Sequence, residues 1–336
     1  MLDNFTFIDL FSGIGGFHQA FVSLGGNCVY ASDYDKSARE TYKVNYGFEP
    51  AGDIRKINPQ EIPDFDILCG GFPCQPFSIA GVSKKNSLGK KHGFEDKDQG
   101  NLFYEIIRII QTKRPKIMFL ENVKNLKSHD KKKTWQIIHQ ILMDNDYYVF
   151  EKIVDAQYYV PQHRERIFII CFDKYIFPDI EFNFPENPKK RGIELKDIIQ
   201  EKADEKYTLS DKLWQYLQKH KENSAKKGNG FGFGLIDLEK DKITRTMSAR
   251  YYKDGSEILI KQNGKNPRRL TPNEARKLFG YPDNFVIPVS DCQAYKQFGN
   301  TVTVPAVKHT AEQIMKTVRE YNKGGARIKY IQETLF

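Results

Sequence analysis

The chain has 336 residues, enough for one large core and a second small one, and carries a formal net charge of +9 with a sequence pI of about 9.0. The basic balance indicates an anionic partner, and an aromatic content of 13% would add surfaces that stack on bases. Five scattered cysteines without a C-x-x-C pair argue against a disulfide framework and a zinc site, and no apolar run is long enough for a membrane span, so we expect a soluble, metal-free, unexported protein of a reducing cytoplasm.

The first predicted unit is a strand, a glycine-rich turn and a helix. Residues 5–11 (FTFIDLF) form an apolar, β-prone run that stops at residues 12–16 (SGIGG), after which apolar residues recur with helical spacing. Glycines let the backbone come close to a ligand, and the start of a helix offers unpaired N–H groups. The GxGxxG spacing of dinucleotide-binding turns is absent, so the sequence does not indicate a dinucleotide. The strand, turn and helix still favour a nucleotide-like cofactor over a purely structural turn.

Two acidic residues follow the next predicted strands. The strand over residues 28–33 ends at Asp33, about twenty residues after the glycine turn, where a carboxylate can accept both hydroxyls of a ribose; an acidic helix cap is the alternative. A helix from Asp35 to about Asn45 follows. A third strand is predicted to end at residues 52–54, where Asp53 could accept a hydrogen bond from an adenine amino group.

The sequence is organised around residues 68–78 (LCGGFPCQPFS). Residues 66–69 predict a buried strand that a glycine pair ends, and Pro73 and Pro76 then stiffen the backbone around Cys74. Ligands of open α/β sheets bind at the carboxyl ends of the strands, so we expect this thiol to be reactive; a buried structural cysteine is the alternative.

A basic segment without periodicity follows between residues 81 and 100. A loop of this length beside reactive chemistry is typical of a lid, although a solvated loop remains the alternative. Its lysines are Lys84, Lys85, Lys90, Lys91 and Lys97.

A second polar side chain is predicted at the same sheet edge. Asn101 caps a helix, and the strand over residues 116–120 then delivers Glu121 to the edge beside Cys74. A thiol and a carboxyl that converge there make a plausible nucleophile and acid, whereas Glu121 alone would more often be a helix cap.

Two arginines precede another strand. A helix is predicted over residues 134–143 and strands over 147–154 and 166–172, with PQHRER at 161–166 between them. Alternation along an extended backbone would point Arg164 and Arg166 in one direction, with surface salt bridges as the alternative.

The character of the sequence changes near residue 180. Residues 1–180 are predicted to form the first domain and 181–265 a small, polar second domain. Within the second domain, residues 244–253 (TRTMSARYYK) interleave basic, hydroxyl and aromatic side chains, as a surface that binds nucleic acid would. An edge strand with solvated charges is the alternative for that run. Residues 266–326 return to the first domain with an apolar last helix from about Val304, and a tail of residues 327–336 follows a break at Gly324 and Gly325.

Over nearly its whole length the chain resembles the C5-cytosine DNA methyltransferases. Residues 7–17 resemble the family's S-adenosylmethionine motif, 72–75 its nucleophile motif, 121–123 its acid motif, 162–166 the motif whose arginines hold the target, and 297–300 the motif that closes the cofactor pocket. The five occur in the family's order. The resemblance implies a doubly wound, Rossmann-like α/β sheet with a second, smaller, mainly β target-recognition domain.

The resemblance also implies the ligands and their residues. The cofactor would be S-adenosyl-L-methionine, leaving as S-adenosyl-L-homocysteine, in a pocket formed by Phe11, Gly13, Gly15, Gly16, Asp33, Tyr34, Asp53, Ile54, Gly71, Pro73, Leu102, Asn300 and Thr301. Duplex DNA would be bound by Ser78, Lys84, Lys85, Lys90, Lys91, Arg245, Thr246, Arg250, Tyr251, Tyr252 and Lys253, with Thr246 at the phosphate of the flipped nucleotide.

The implied catalytic residues are Cys74, Glu121, Arg164 and Arg166. Cys74 would add to C6 of cytosine, Glu121 would act at N3, and Arg166 would bind O2. The base would have to be flipped out of the stack. A tRNA cytosine methyltransferase of the same fold and a catalytically silent DNA-binding relative are the alternatives; a recognition region of this size favours duplex DNA.

The expected setting is that of a monomer in the bacterial cytoplasm, associated with the nucleoid through DNA. Residues 332–336 (QETLF) resemble the QxxLF peptides that bind the bacterial sliding clamp, which implies contacts by Gln332, Leu335 and Phe336. A tail that packs its apolar residues on its own domain is the alternative.

Overall fold

The larger part of the chain is built on a mixed sheet of six strands. The computed structural model describes residues 4–73, 102–228 and 232–334, without the side chains of 325–334. The strands are β1 (Thr6–Leu10), β2 (Asn27–Ser32), β3 (Ile67–Gly71), β4 (Ile117–Val123), β5 (Tyr147–Asp155) and β6 (Glu165–Asp173). They lie in the order β2-β1-β3-β4-β6-β5, in which the first four are parallel and β6 is antiparallel to both of its neighbours.

Helices cover both faces of this sheet. They include α1 (Gly16–Val22), α2 (Lys36–Tyr46), α3 (Leu102–Lys113) and α4 (Lys133–Asp144). Because successive strand residues point to opposite faces, Phe7, Cys69 and Phe119 enter the core on the side of α1, whereas Leu68 and Met118 enter the core formed with α3 and α4. The predicted doubly wound α/β fold is confirmed, and the carboxyl ends of β1 to β4 meet at one edge.

A smaller region follows the large sheet. It contains the helices α5 (Leu195–Ile198) and α6 (Asp211–Lys226) and a sheet of β7 (Leu235–Ile236), β8 (Leu259–Gln262) and β9 (Lys265–Arg269). The region therefore combines helices with a small sheet, where the sequence predicted mainly strands. The 16-residue helix α6 escaped prediction because its apolar side is short: Leu213, Trp214 and Leu217 pack on Leu209 and Leu259, and the rest is charged or polar.

The last part of the described chain returns to the large sheet. It comprises α7 (Pro272–Leu278), α8 (Asp291–Asn300) and α9 (Val304–Thr334), and α9 packs against α1. The predicted break at Gly324 and Gly325 is wrong for the backbone, since α9 continues through both glycines; each costs a helix only about 1 kcal/mol relative to alanine. Among the described residues, no helix is both long and apolar enough to cross a membrane.

Two predicted strand ends differ from the structure. Gly70 and Gly71 do not end β3 but continue it, paired with Leu120 and Glu121 of β4. Residues 52–54 form no strand; a single bridge joins Ala51 to β2, and a 3-10 turn begins at residue 54. In both places strand formation depends on whether a neighbouring strand presents backbone N–H and C=O groups for pairing. The local amino-acid composition does not reveal this.

Candidate active site

Glu121 stands at the sheet edge because of the register between two parallel strands. β3 and β4 pair so that Gly71 lies opposite Glu121. A Cβ atom on Gly71 would come 3.1 Å from Glu121 Oε2, which is closer than ordinary van der Waals contact, so the glycine leaves room for the carboxyl. Glu121 is only 8% exposed. The predicted position of Glu121 at this edge is therefore observed, beside the end of the strand that leads to Cys74.

Arg166 reaches the same carboxyl from the antiparallel strand β6. Its Nε donates to Glu121 Oε1 over 2.9 Å, and its Nη1 donates to the carbonyl of Glu165 over 2.8 Å. Burial raises the pKa of Glu121, while the positive charges of Arg166 and Arg164 act in the opposite direction. A carboxyl whose pKa is raised in this way can carry a proton closer to neutral pH than an exposed glutamate, as a general acid must.

The backbone that leads to Cys74 is held by an asparagine that the sequence analysis did not single out. Cys74 itself lies outside the described residues. Two positions before it, the carbonyl of Phe72 accepts a hydrogen bond from Asn122 Nδ2 over 2.8 Å, and Asn122 Oδ1 accepts from the N–H of Val123 over 2.8 Å. The only sequence signal for Asn122 was its place beside Glu121, within the acid motif.

The turn after β1 has the left-handed backbone that its glycines allow. Phe11, Gly13 and Gly15 have φ values of +54°, +52° and +80°. A Cβ atom on Gly15 would meet the ring of Tyr46 at 2.2 Å, whereas one on Gly13 would meet nothing within 4 Å. The turn therefore packs closely on one side and borders open space on the other, where a ligand can approach the backbone.

Asp33 lies at the end of β2 and holds this turn. Its Oδ2 accepts from the N–H of Gly13 and its Oδ1 from the N–H of Asp35, both over 2.8 Å. Each carboxylate oxygen has two lone pairs, so each can accept one further hydrogen bond. Burial raises the pKa of Asp33, and the two N–H groups oppose the shift. Tyr34, next in the chain, is 77% exposed.

The carboxylate of Asp53 is hydrogen-bonded to Arg55. Its side chain caps the 3-10 turn by accepting from the N–H of Arg55 over 3.1 Å, and Arg55 Nε donates to it over 2.9 Å. The hydrogen bond from the Arg55 side chain lowers the pKa of Asp53. An adenine amino group would therefore have to share this carboxylate with Arg55.

The other predicted pocket positions lie on several elements. Ile54 is buried, Leu102 begins α3, and Pro73 is exposed at the end of the described part of the nucleophile motif. Asn300 is exposed at the end of α8. Thr301 is buried, with its hydroxyl oxygen 2.6 Å from that of Tyr281. A Cβ atom on Gly16 would stand 2.9 Å from Thr301 Oγ1 and 2.5 Å from Val302 Cγ2, so residues 301 and 302 press directly on the glycine turn.

A buried aromatic group beneath the turn was missed by the sequence analysis. The hydroxyl of Tyr46 donates to the carbonyl of Gly15 over 3.0 Å, and the ring of Tyr46 stacks on His18 at a centroid distance of 3.8 Å. His18 Nδ1 lies 2.6 Å from the hydroxyl of Tyr42. Burial lowers the pKa of His18 to about 4, so the ring is neutral near pH 7. These residues had no chemical signature, since their spacing is that of helix core positions.

Arg164 differs from its prediction as a residue that holds the target. Its Nη1 donates to the carbonyl of Met247 over 2.9 Å, and its Nη2 donates to the carbonyls of Gly299 and Thr301 over 3.0 and 2.9 Å. The side chain is 2% exposed. Both terminal nitrogens are thus committed to backbone oxygens, and Arg164 is a buried connector, while Arg166 alone meets Glu121.

Comparison with known proteins identifies the family of this chain. The sequence model described as C-5 cytosine-specific DNA methylase matches residues 5–316. The chain belongs to this family. Type II methyltransferase M1.ScrFI of Lactococcus lactis subsp. cremoris is 49% identical over 325 residues, which cover 95% of this chain and 80% of that protein. Type II methyltransferase M.NlaX of Neisseria lactamica is 49% identical over 316 residues, which cover 92% of this chain and 96% of that protein.

Solved structures support the fold independently. The methyltransferase EhMeth of Entamoeba histolytica superposes with a TM-score of 0.72 at 21% identity, covering 94% of this chain and 99% of that one. As a family member the chain is a DNA cytosine-5 methyltransferase with S-adenosyl-L-methionine as its methyl donor. The residues present fit that cofactor, since the turn at Gly13 borders open space and Asp33 keeps acceptor capacity for a ribose diol.

The predicted DNA-reading run of this methyltransferase, residues 244–253, has no regular secondary structure. It lies along the segment of residues 161–163, where the N–H of Thr244 donates to the carbonyl of Pro161 over 2.8 Å and the N–H of His163 donates to the carbonyl of Thr244 over 2.9 Å. The hydroxyl of Thr246 donates to the carbonyl of His163. The run is therefore held against residues 161–163 and forms no strand of its own, so the alternative of an edge strand is wrong.

Side chains of this run divide into exposed and buried ones. Arg245, Arg250 and Lys253 are exposed, and Tyr252 is half-buried. Tyr251 is fully buried: its hydroxyl donates to the carbonyl of Ile258 over 2.7 Å and accepts from the N–H of Leu270 over 2.8 Å. The prediction that Tyr251 contacts DNA is wrong, because its side chain has no surface to offer.

Several predicted site residues lie outside the described part of the chain. These are Cys74, Ser78, Lys84, Lys85, Lys90 and Lys91, and in the tail Leu335 and Phe336 with the side chain of Gln332. Lys97 of the predicted lid also lies outside the described residues. Among the described residues, no group of three or more histidine, cysteine or acidic side chains is arranged to hold a metal ion.

Proposed function

We propose that this methyltransferase acts on a cytosine within a specific short sequence of duplex DNA, on a base flipped out of the helix, through a covalent bond between Cys74 and C6 of the ring. The observation that carries the proposal is the ion pair of the buried Glu121 with the half-buried Arg166, at the sheet edge from which the chain continues to Cys74. A buried acid with a raised pKa beside a cation is suited to proton transfer and to holding a polar ring.

The chemistry requires a nucleophile because C5 of cytosine is too electron-poor to attack a methyl sulfonium directly. The thiolate of Cys74 adds to C6, and the electron pair displaced through the ring collects at N3, where Glu121 donates its proton. C5, now part of an enamine, would take the methyl group that S-adenosyl-L-methionine supplies when bound, the sulfur–methyl bond breaking so that the donor leaves as S-adenosyl-L-homocysteine. Loss of the C5 proton to water, return of the N3 proton to Glu121 and departure of the thiolate of Cys74 restore the aromatic ring.

Arg166 would hold the oxygen of the same base. Its Nε and Nη1 are used by Glu121 and by the carbonyl of Glu165. Within the described residues no hydrogen bond engages Nη2, which can donate to O2 of cytosine. Glu121 and Arg166 would then recognise N3, the amino group and O2 together, a pattern that distinguishes cytosine from thymine.

The cofactor would lie across the edge from β1 to β3. In this arrangement Asp33 accepts the ribose hydroxyls, Tyr34 and Ile54 flank the adenine, and Asp53 shares its carboxylate between Arg55 and the adenine amino group. The remaining pocket positions are Phe11, Gly13, Gly15, Gly16, Gly71, Pro73, Leu102, Asn300 and Thr301.

Duplex DNA is the substrate that the relatives support. Proteins named type II methyltransferases match this chain over more than nine-tenths of its length, which favours a role in restriction-modification or as an orphan methylase over tRNA modification. The exposed Arg245, Arg250 and Lys253 would contact phosphates or guanine edges, and Thr246 the phosphate at the flipped nucleotide. The enzyme would work as a monomer in the bacterial cytoplasm.

The decisive experiment is bisulfite sequencing of DNA from a methylation-free bacterial host that expresses the chain. We expect cytosines to be protected within one short sequence, and no protection with Cys74→Ser, because a hydroxyl has almost no anionic form near neutral pH. Methyl transfer from labelled cofactor to tRNA but not to DNA would contradict the proposal. Failure to trap a covalent complex on duplex DNA carrying 5-fluorocytosine would contradict the adduct.

A separate proposal concerns a protein partner of residues 332–336. Gln332, Leu335 and Phe336 would bind the bacterial sliding clamp, placing the enzyme on newly made DNA. A labelled peptide of residues 327–336 should bind purified clamp, and the same peptide with Leu335→Ala and Phe336→Ala should not. No binding at high micromolar clamp would remove this proposal and leave the catalytic one untouched.

A further inference from the structure

One buried guanidinium joins two segments to which different ligands are assigned. Arg164 bonds the carbonyl of Met247 in the DNA-reading run and the carbonyls of Gly299 and Thr301 at the end of α8, at 2.9, 3.0 and 2.9 Å. Its charge also lies 5.1 Å from the centre of the Phe279 ring. Among the described residues no carboxylate lies within ion-pair distance of Arg164, so the three carbonyl dipoles are its main compensation.

The DNA-reading run is also tied to the segment that carries Arg164. The N–H of Met247 donates to Gln162 Oε1 over 2.9 Å, which ties it to the same motif that carries Arg164. A Cβ atom on Gly299 would stand 2.3 Å from the backbone nitrogen of Ala249, so the run rests directly on the end of α8. A shift of residues 247–249 must therefore move Gly299 or break the hydrogen bond between Met247 and Arg164.

The other end of this contact reaches the cofactor turn. Thr301 and Val302 press on Gly16, as the 2.9 and 2.5 Å approaches to a Cβ atom there show. Thr301 also offers its carbonyl to Arg164. Thr301 thus meets the guanidinium through its backbone carbonyl and the first residue of α1 through its side chain, beside the turn where the cofactor is proposed to bind.

We propose that Arg164 is a positioning residue that couples DNA binding by residues 244–253 to cofactor binding at the glycine turn. The guanidinium keeps all three of its carbonyl partners only when both segments are in place. If either segment withdraws its carbonyl, the charge loses a partner in a dry site. A ligand that holds one segment therefore favours the arrangement that the other ligand needs, and the effect must be equal in both directions. The inference rests on the proposed function of these two segments.

The test measures binding of S-adenosyl-L-homocysteine, the unreactive product, by calorimetry with and without a duplex oligonucleotide that carries the site mapped by bisulfite sequencing. For the wild type we expect each ligand to tighten the other by about tenfold. Arg164→Lys keeps a charge but cannot span three carbonyls, so its coupling factor should fall to about one. Its KM for cofactor and for DNA should both rise, while kcat changes by less than either.

The matched control is Arg268→Lys. Arg268, on β9 of the smaller region, is a second buried arginine; it is bonded to Glu274 and to the carbonyls of Arg269 and Gln200, and among the described residues it has no hydrogen bond to the cofactor segment. This variant should lose stability and keep the tenfold coupling. Loss of coupling in Arg268→Lys as well would overturn the inference, because general loosening would then explain it.

A second variant keeps the test decisive if Arg164→Lys does not fold. Gly299→Ala leaves the guanidinium intact and forces its Cβ against the backbone of Ser248 and Ala249, so it should also reduce the coupling. Unchanged coupling in whichever variant folds would overturn the inference. A wild type that methylates its site yet shows no coupling would overturn it too, without affecting the proposed function.

Discussion

The two halves of the proposed site are held in different ways. At the edge of the large sheet, strand register places the functional groups: Glu121 stands opposite Gly71, and Asp33 follows directly on β2. In the smaller region the DNA-reading run has no helix or strand, and side chains from other segments hold its backbone. The groups proposed for methyl transfer, which is the same reaction at every site, are thus positioned by the paired strands of the large sheet. The surface that we propose recognises one DNA sequence is held by side-chain contacts that can change without altering the sheet.

The same difference explains what the sequence could predict. The strands that carry Asp33 and Glu121 are apolar runs, and the convergence of parallel strands at one edge then places their last residues together. The roles of Arg164 and Tyr251 could not be predicted this way. Their partners lie on segments distant in sequence, at Gly299 and Leu270, and only the packed fold shows that both side chains are buried.

The long helix α6 and the support beneath the glycine turn were missed for related reasons. In α6 few residues are buried, so its pattern resembles a charged loop. His18 and Tyr46 have the spacing of ordinary core positions, and nothing local shows that they meet each other and the turn. Prediction worked where one property of a short run decided the structure and failed where two distant runs decided it together.

The largest effect is expected at the buried ion pair that holds the smaller region. Glu274 is fully buried and accepts from Arg268 through both oxygens at 2.8 Å, while also accepting from the N–H groups of Gln200 and Thr271 at 2.7 Å. Glu274→Ala leaves a buried arginine without its partner, which should lower the free energy of unfolding by about 3–5 kcal/mol.

Urea denaturation of Glu274→Ala measures this, with Glu205→Ala as the control. Glu205 forms its ion pair with Lys265 at the surface, so its removal should change stability little. A small effect of Glu274→Ala would mean that the smaller region depends on its apolar contacts and not on buried charge, and the comparison with the sheet edge would fail.

The next effect concerns chemistry at the sheet edge. Glu121→Gln keeps the shape of the side chain but cannot donate an acid proton to N3, so the rate of methyl transfer should fall by about 10²- to 10³-fold. DNA binding and the unfolding midpoint should stay close to those of the wild type. Single-turnover kinetics with labelled cofactor measures the rate.

Glu165→Gln is the control for this prediction, because Glu165 is the adjacent acid on β6 and pairs with Lys124 away from Glu121. It should retain most of the activity. A Glu121→Gln enzyme within tenfold of the wild type would show that the ladder delivers this carboxyl for a structural purpose only.

A smaller effect is expected from the neutral histidine beneath the turn. The pKa of His18 is lowered to about 4 in the fold, against about 6.5 in the unfolded chain, so the unfolded state takes up the proton first as pH falls. Stability from this group is complete above about pH 7 and is lost as pH falls toward 4. Between pH 7 and pH 5 the loss should be about 2 kcal/mol.

The measurement compares the free energy of unfolding of the wild type and His18→Gln at both pH values. The variant should be less stable at pH 7, yet it should lose about 2 kcal/mol less than the wild type on going to pH 5. Equal losses in the two proteins would place the acid sensitivity elsewhere, for example in other buried acids.

The smallest effect tests whether the sheet edge binds as well as reacts. Asp33 accepts two backbone N–H groups and, by our proposal, two ribose hydroxyls. Asp33→Asn removes the charge and one acceptor oxygen while keeping the size, so affinity for S-adenosyl-L-homocysteine should fall by about tenfold, near 1.4 kcal/mol. Asp35→Asn is the control: Asp35 caps α2 through the N–H of Ala38, so its replacement should affect the helix and not the cofactor. Calorimetry that finds the same affinity for Asp33→Asn and the wild type would make Asp33 a support of the turn alone. The edge of the large sheet would then resemble the smaller region, in which buried charged side chains bond the backbone and do not contact a ligand.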